Sequence, residues 1–320
     1  MNVLLVIHRG WWDRKCPPCW PDQTEAIRAA GVRVQVTGPR WPDWKPDQKL
    51  RANVERIMPD ADVLYLWRPF GAAEFEGVIG ANEKMPWLKV SSYQDNPKGA
   101  AVEARDVGLD LLFYRDHWDR QFLQSCGVRS VYIPLAVPLP NYDGWDRNQS
   151  ERKTPVLLTG NQTPHVYPLR VKFNDMIKRR MIRGAVRPTS PYRMNSLDRI
   201  RDEQRAYAKA LINTRISLVS TCPTIPLLLR KYLESLAAGC VLVGDMPHSP
   251  PQEIAECINV VTRNMTTAHI AGVIKRLLDD PEECDRQRIR NRAIAEKYGY
   301  DSFATKWIEA VRESLDARGS

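Results

Sequence analysis

Residues 230–244 read Arg230-Lys-Tyr-Leu-Glu-Ser-Leu-Ala-Ala-Gly-Cys-Val-Leu-Val-Gly244. Leu233, Leu236 and Ala237 recur at helical spacing and make one apolar face. Gly239 supplies the left-handed stop a helix end favours, and Val241–Val243 then enters a sheet at once. Glu234 falls one turn before the helix end, on a face where a carboxylate has no evident core role. A helix passing through one glycine into a fully apolar strand is the signature of a layered α/β fold with a parallel sheet.

Working outward, the same alternation extends through the second half. It predicts strands at Pro155–Thr159, Ile216–Val219, Val241–Gly244 and Ile258–Val261. Helices are expected at Leu169–Arg179, Arg201–Thr214, Leu227–Ala238 and Thr267–Leu278, with a helical C-terminus from Pro281. The first half repeats the unit. Strands are expected at Asn2–His8, Val32–Thr37, Val63–Trp67, Leu88–Tyr93, Leu109–Tyr114 and Ser130–Pro134. Helices fall near Gln23–Ala30, Lys49–Ile57, Ala72–Ala81, Val102–Val107 and Asp116–Cys126. Pro138-Leu-Pro140-Asn-Tyr-Asp-Gly144 and the polar run Asp146–Thr154 break the rhythm, so the domains are read as 1–145 and 155–320. Tandem α/β domains set two groups of strand C-termini opposite each other, where ligands of such folds bind.

A length of 320 residues, 43% apolar and 27% charged, suits two soluble domains with a core each. The 47 Lys and Arg against 38 Asp and Glu give a net charge of +9, which favours a polyanionic partner such as a nucleoside diphosphate, nucleic acid or an anionic membrane face. Seven cysteines, scattered except for Cys16-Pro-Pro-Cys19, do not form an extracellular disulfide framework, and no stretch approaches ~18 apolar residues. A cytoplasmic protein is therefore expected. Cys16 and Cys19 make half a zinc site or a redox pair, but no second ligand pair follows. No Gly-x-Gly-x-x-Gly follows the first strand, where the chain reads His8-Arg-Gly-Trp-Trp-Asp13, and this excludes the usual dinucleotide-dependent oxidoreductases.

The stretch Glu234-Ser-Leu-Ala-Ala-Gly-Cys-Val-Leu-Val243 resembles the donor-site pattern of group 1 (family 4 type) glycosyltransferases of the GT-B fold. Gly160 at the end of a strand, Tyr167-Pro168-Leu169-Arg170 after it, and the tail from Leu277 to Phe303 extend the resemblance over most of 155–310. It implies two Rossmann-like domains with parallel sheets facing across a cleft. It also implies a metal-independent transfer of a sugar from a nucleotide-sugar, UDP- or GDP-linked, to an acceptor hydroxyl of a glycan, protein, small molecule or DNA. Glu234 would hold the donor ribose.

A diphosphate needs cations and helix N-terminal N–H groups, and Thr221-Cys-Pro-Thr-Ile-Pro226 delivers the chain into the helix bearing Arg230 and Lys231. Gly160, Arg170, Thr221, Arg230, Lys231 and Glu234 are the expected donor-binding set. Arg230 can equally be a surface partner of Glu234 at i,i+4. Many members of the family carry a second Glu eight positions before the first; here that position is Pro226, which favours an alternative, a non-catalytic binding protein on a degenerate GT-B frame. The absence of an Asp-x-Asp motif after a strand predicts no catalytic metal.

The first domain is expected to bind the acceptor through His8, Arg9, Trp11, Trp12 and Arg68, which follow predicted strands. Asp95 and His117 have the chemistry of a base that takes the acceptor proton, although a turn residue and an exposed first-turn residue are equally consistent with those positions. Nine of the ten tryptophans precede residue 150, several beside Arg and Pro, as suits stacking on sugar rings or unpaired bases. With the basic balance, this keeps a viral-type DNA glycosyltransferase in view.

Overall fold

In the computed structural model, which describes residues 1–15, 19–67, 78–92, 104–117, 120, 123, 127–187 and 197–319, the chain forms two compact units. One is built from Met1–Pro134 and Tyr300–Ser320, the other from Leu135–Arg193 and Asp198–Gly299.

The first unit contains β1 (Asn2–Val6), α1 (Cys19–Ala29), β2 (Arg33–Thr37), α2 (Leu50–Ile57), β3 (Val63–Leu66), β4 (Leu88–Ser92), β5 (Leu111–Tyr114) and β6 (Arg129–Tyr132). All pairings are parallel, in the order β2-β1-β3-β4-β5-β6, with Val6 opposite Thr37 on one side and Leu66 on the other. Every residue of β3, β4 and β5 is buried, which explains why these strands read as continuous apolar runs rather than alternating ones. Leu4, Leu64 and Leu66 pack with Leu50 and Val54 of α2 in one core cluster.

The second unit contains β7 (Thr154–Thr159), α3 (Pro168–Lys178), β8 (Ala185–Arg187), α4 (Leu197–Ile212), β9 (Thr214–Val219), α5 (Arg230–Ala237), β10 (Val241–Gly244), α6 (Gln252–Ala255), β11 (Ile258–Val260), α7 (Thr267–Asp279) and α8 (Pro281–Glu296). Its sheet is also parallel, in the order β11-β10-β9-β7-β8. Leu169, Phe173 and Met176 of α3 cover one face with Val156 and Leu158. Ala208 and Leu211 of α4, with Leu233 and Leu236 of α5, cover the other face around Leu157.

In both sheets the strand order reverses, between β1 and β3 in one and between β7 and β9 in the other. Neighbouring connections leave such a point on opposite faces, and the crevice between them is where open α/β sheets bind ligands.

The structure departs from the sequence reading at several elements. Trp11–Lys15 is a short π-helix rather than a loop, and α1 begins at Cys19 rather than Gln23. Of the helix expected over Ala72–Ala81, residues 72–77 lie outside the described residues and 78–81 form a turn. The three-residue edge strand β8 carries too little pattern to be read. The helix bearing Glu234, α5, begins at Arg230 rather than Leu227, because Leu229 stays extended with φ −76° and ψ 148°. The final helix, α9 (Tyr300–Gly319), belongs to the first unit rather than to a domain running from 155 to 320. Its fully buried Trp307 packs 5.6 Å from Tyr65 and 5.9 Å from Phe113, and Glu313 pairs with Arg129 at 2.8 Å. Among the described residues no helix is long and apolar enough to cross a membrane.

Candidate functional site

The residues expected to bind a donor gather at the switch point of the second sheet. Gly160 follows β7 and Thr221 follows β9, the two strands that flank the reversal. Gly160 has φ +98°, and a Cβ there would lie 2.8 Å from both Nη1 of Arg170 and Cε of Lys231. Only a residue without a side chain lets α3 and α5 bring these two cations against the end of β7.

Arg170 is 2% exposed. It donates from Nη1 to the Asn161 carbonyl at 3.2 Å and from Nη2 to the Ser220 carbonyl at 2.9 Å, and its guanidinium lies 3.7 Å from the Tyr167 ring centroid. It thus pins the ends of β7 and β9 together. Burial lowers its pKa, but a guanidinium keeps its charge, so it contributes a fixed positive potential behind the site.

Glu234 sits on α5, buried, with Oε1 3.1 Å from Nε of Arg230. The i,i+4 pairing weighed for Arg230 is therefore present, but the two side chains are only 19% and 11% exposed, so it is not a solvated surface pair. Lys231, half-buried, places Nζ 5.0 Å from the Tyr207 ring centroid rather than on Glu234. Burial lowers the Lys231 pKa, and the Glu234 charge opposes that. The first turn of α5 thus carries two cations and no acid, and its N-cap residue Leu229 makes no side-chain hydrogen bond. Cations at the positive end of a helix are unfavourable on their own; together with the helix dipole they are complementary to an anion.

The supports of α5 were missed by the sequence reading. Ser235 Oγ lies 2.8 Å from Ser217 Oγ of β9, and the Tyr232 hydroxyl donates to the Asp245 carbonyl at 2.8 Å. Thr221 meets the same residue: its backbone N–H donates to Asp245 Oδ1 at 2.7 Å. Burial raises the Asp245 pKa even though these hydrogen bonds oppose it. At the other end of α5, Gly239 adopts φ +64° as expected. Arg292 Nη1 donates to the Ala237 carbonyl at 2.8 Å and Arg152 Nη2 to the Ala238 carbonyl at 3.0 Å, which satisfies the negative end of the helix with charge. Arg152 lies in the stretch read as a polar linker, where nothing in the pattern singles it out. Trp145, counted among the stacking tryptophans, instead lies 5.5 and 5.4 Å from the guanidinium carbons of Arg288 and Arg292.

In the first unit, His8 follows β1 and is buried; Nδ1 accepts from the Gly10 N–H at 2.9 Å, which leaves the hydrogen of the neutral ring on Nε2. Arg9 is exposed, pairs with Asp13 at 3.2 Å, and lies 5.8 Å from the Trp41 ring, which Trp12 meets edge-on at 6.1 Å. Trp11 is half-buried. Trp44, Trp67 and Trp87 are core residues rather than loop platforms. His117 stacks on Tyr132 with centroids 4.0 Å apart. Arg68, Asp95 and Cys16 lie outside the described residues, as does the Cys19 side chain. Among the described residues no three His, Cys, Asp or Glu side chains gather as a metal site.

No protein-family model matches the chain, and no curated protein matches its sequence. Solved structures do match its fold. An alpha-glucosyltransferase in complex with UDP and a 13-mer DNA containing an HMU base aligns with a TM-score of 0.61 at 11% identity, over 99% of each chain. Anabaena Alr3699/HepE in complex with UDP-glucose aligns at 0.60 and 12% identity, over 98% of this chain and 100% of that one. A trehalose-6-phosphate structure from E. coli bound with UDP-2-fluoro glucose aligns at 0.60 and 12%, over 97% and 98%. The chain therefore has the GT-B glycosyltransferase fold of two parallel-sheet α/β domains.

Proposed function

We propose that the protein is a glycosyltransferase whose second unit holds a UDP-linked sugar. The observation that carries the reading is the first turn of α5: Arg230 and Lys231 at an uncapped helix N-terminus, beside Gly160 at the sheet switch point, with the Glu234 carboxylate one turn on. A nucleoside diphosphate complements this set. The ribose hydroxyls donate to Glu234, and the diphosphate lies against Lys231 and the N–H groups of α5 with the charge of Arg170 behind it. Breaking the anomeric C–O bond leaves negative charge on the departing diphosphate, and these fixed cations stabilise that charge as it develops. They supply what a divalent ion supplies elsewhere, so the transfer is proposed to run without a metal. The UDP and UDP-glucose found with the neighbouring structures support uridine as the base.

The acceptor is assigned to the switch point of the first sheet, where His8, Arg9, Trp11, Trp12 and Arg68 follow β1 and β3. Asp95 and His117 are the proposed bases for the acceptor hydroxyl. A DNA acceptor is the second reading. The net charge of +9 and the exposed run Lys178, Arg179, Arg180 and Arg183 favour it, as does the DNA held by one neighbour. The test is release of UDP from UDP-glucose with glycan and modified-base DNA acceptors in turn. Release that requires an acceptor supports transfer, and tight UDP binding without turnover under any acceptor would leave a binding protein on a GT-B frame. Steep loss of DNA affinity with salt identifies the second reading.

A further inference from the structure

Lys231 and Glu234 stand three residues apart on α5, a spacing at which opposite charges normally meet. They do not meet here. Glu234 is held by Arg230 at 3.1 Å, and the Lys231 ammonium lies over the face of Tyr207, 5.0 Å from its centroid. Tyr207 comes from α4, and its hydroxyl sits 3.4 Å from Thr159 Oγ1 at the end of β7, so the ring is tied to the same switch point as Gly160. The Glu234 carboxylate lies beside that hydroxyl; burial, with this charge added, pushes the phenol well above its ordinary pKa and keeps it neutral. The ring thus stands against both α5 groups of the proposed donor site, contributed by a helix the sequence reading gave no role.

We propose that Tyr207 is a positioning residue of the donor site: its ring holds the Lys231 ammonium away from Glu234, so that one group stays available to the diphosphate and the other to the ribose. An aromatic face attracts a cation without neutralising it, unlike a carboxylate, and a desolvated cation on a ring stays in place without giving up its charge. Without the ring, Lys231 swings to Glu234 and joins Arg230 there, so the ammonium is lost to the diphosphate and the carboxylate has less capacity left for the ribose. The inference rests on the proposed nucleotide-sugar reading.

The test uses the full-length protein and calorimetric titration of UDP and UMP into wild type, Y207M, Y207F and K231M, and into Y207M/K231M. Methionine fills the volume without a π face, and Y207L carries the same test should Y207M not fold. Y207M is expected to lose roughly tenfold or more in UDP affinity, with a smaller loss for UMP, as fits a lost ammonium–phosphate hydrogen bond. Y207F, which keeps the ring, is expected to recover most of that affinity. K231M is expected to lose affinity too, and Y207M/K231M to lose little beyond either single variant, since both act through one ammonium. Losses that add in full, or a Y207F as weak as Y207M, would overturn the role of the ring. A wild-type protein that binds no nucleoside diphosphate would overturn the donor-site reading instead, a result the variants cannot mimic.

Discussion

Replacing Glu234 by glutamine separates the proposed ribose contact from the fold. The carboxylate is buried against Arg230, with side chains 11% and 19% exposed, so E234Q removes one partner of a partly buried pair. Exposed pairs contribute under ~1 kcal/mol and breaking deeply buried ones costs about 3–5, so this pair should cost about 1–2 kcal/mol and lower Tm by a few degrees. The ligand effect is larger. A hydrogen bond from a ribose hydroxyl to an ionised acceptor is worth about 1.5–3 kcal/mol, which is roughly 10- to 150-fold in Kd. Calorimetric titration with UDP and with 2′,3′-dideoxy-UDP isolates the ribose contact from any change in how Arg230 meets the phosphates. Wild type should prefer the ribo form by about that factor, and E234Q should lose the preference. A folded E234Q that binds UDP as tightly as wild type and still prefers the ribo form would refute the placement of ribose at Glu234.

Burial lowers the Lys231 pKa from its ordinary 10.5, so the free protein sheds this charge at a lower pH than an exposed lysine does. A diphosphate requires the charged form; UDP affinity should therefore fall as pH rises through the lowered pKa, and K231M should remove that component from a pH series of titrations. G160A adds a Cβ within 2.8 Å of Arg170 and Lys231 at φ +98°, which should cost about 1–3 kcal/mol in a denaturant melt and weaken UDP binding, while the first unit is unaffected. W307A should cost about 3–5 kcal/mol, because the ring fills the space between Tyr65 and Phe113 beneath α9; calorimetry should show the loss, with UDP binding at the second unit retained in the folded fraction.

The parallel α/β architecture was legible because buried strands such as β3 and β10 are short apolar runs, and because Gly239 punctuates the step from helix to strand. That Gly160, Lys231 and Glu234 would come together was legible for the same reason: they lie within or beside strongly patterned elements, so their spacing translates directly into position. What the pattern could not show comes from distance in sequence. Tyr207 and Asp245 reach α5 from other elements, and Arg152 and Arg292 cap it from a linker and from α8, 86 and 55 residues from the carbonyls they meet; no local periodicity marks a side chain whose partner lies on another element. Trp307 looks like any apolar residue of a terminal helix, and its partners Tyr65 and Phe113 belong to the other end of the chain. The tryptophans misled where composition stood in for placement, since Trp44, Trp67 and Trp87 serve the core and Trp145 serves an arginine pair.

Hydrogen exchange of the protein with and without saturating UDP tests the central claim most directly, because a ligand at 100 times its Kd adds about 2.7 kcal/mol to the openings it blocks. Protection is expected to concentrate at residues 160–163 and 221–235, at the ends of β7 and β9 and the first turn of α5. UDP that binds and protects other segments while leaving these two unchanged would contradict it.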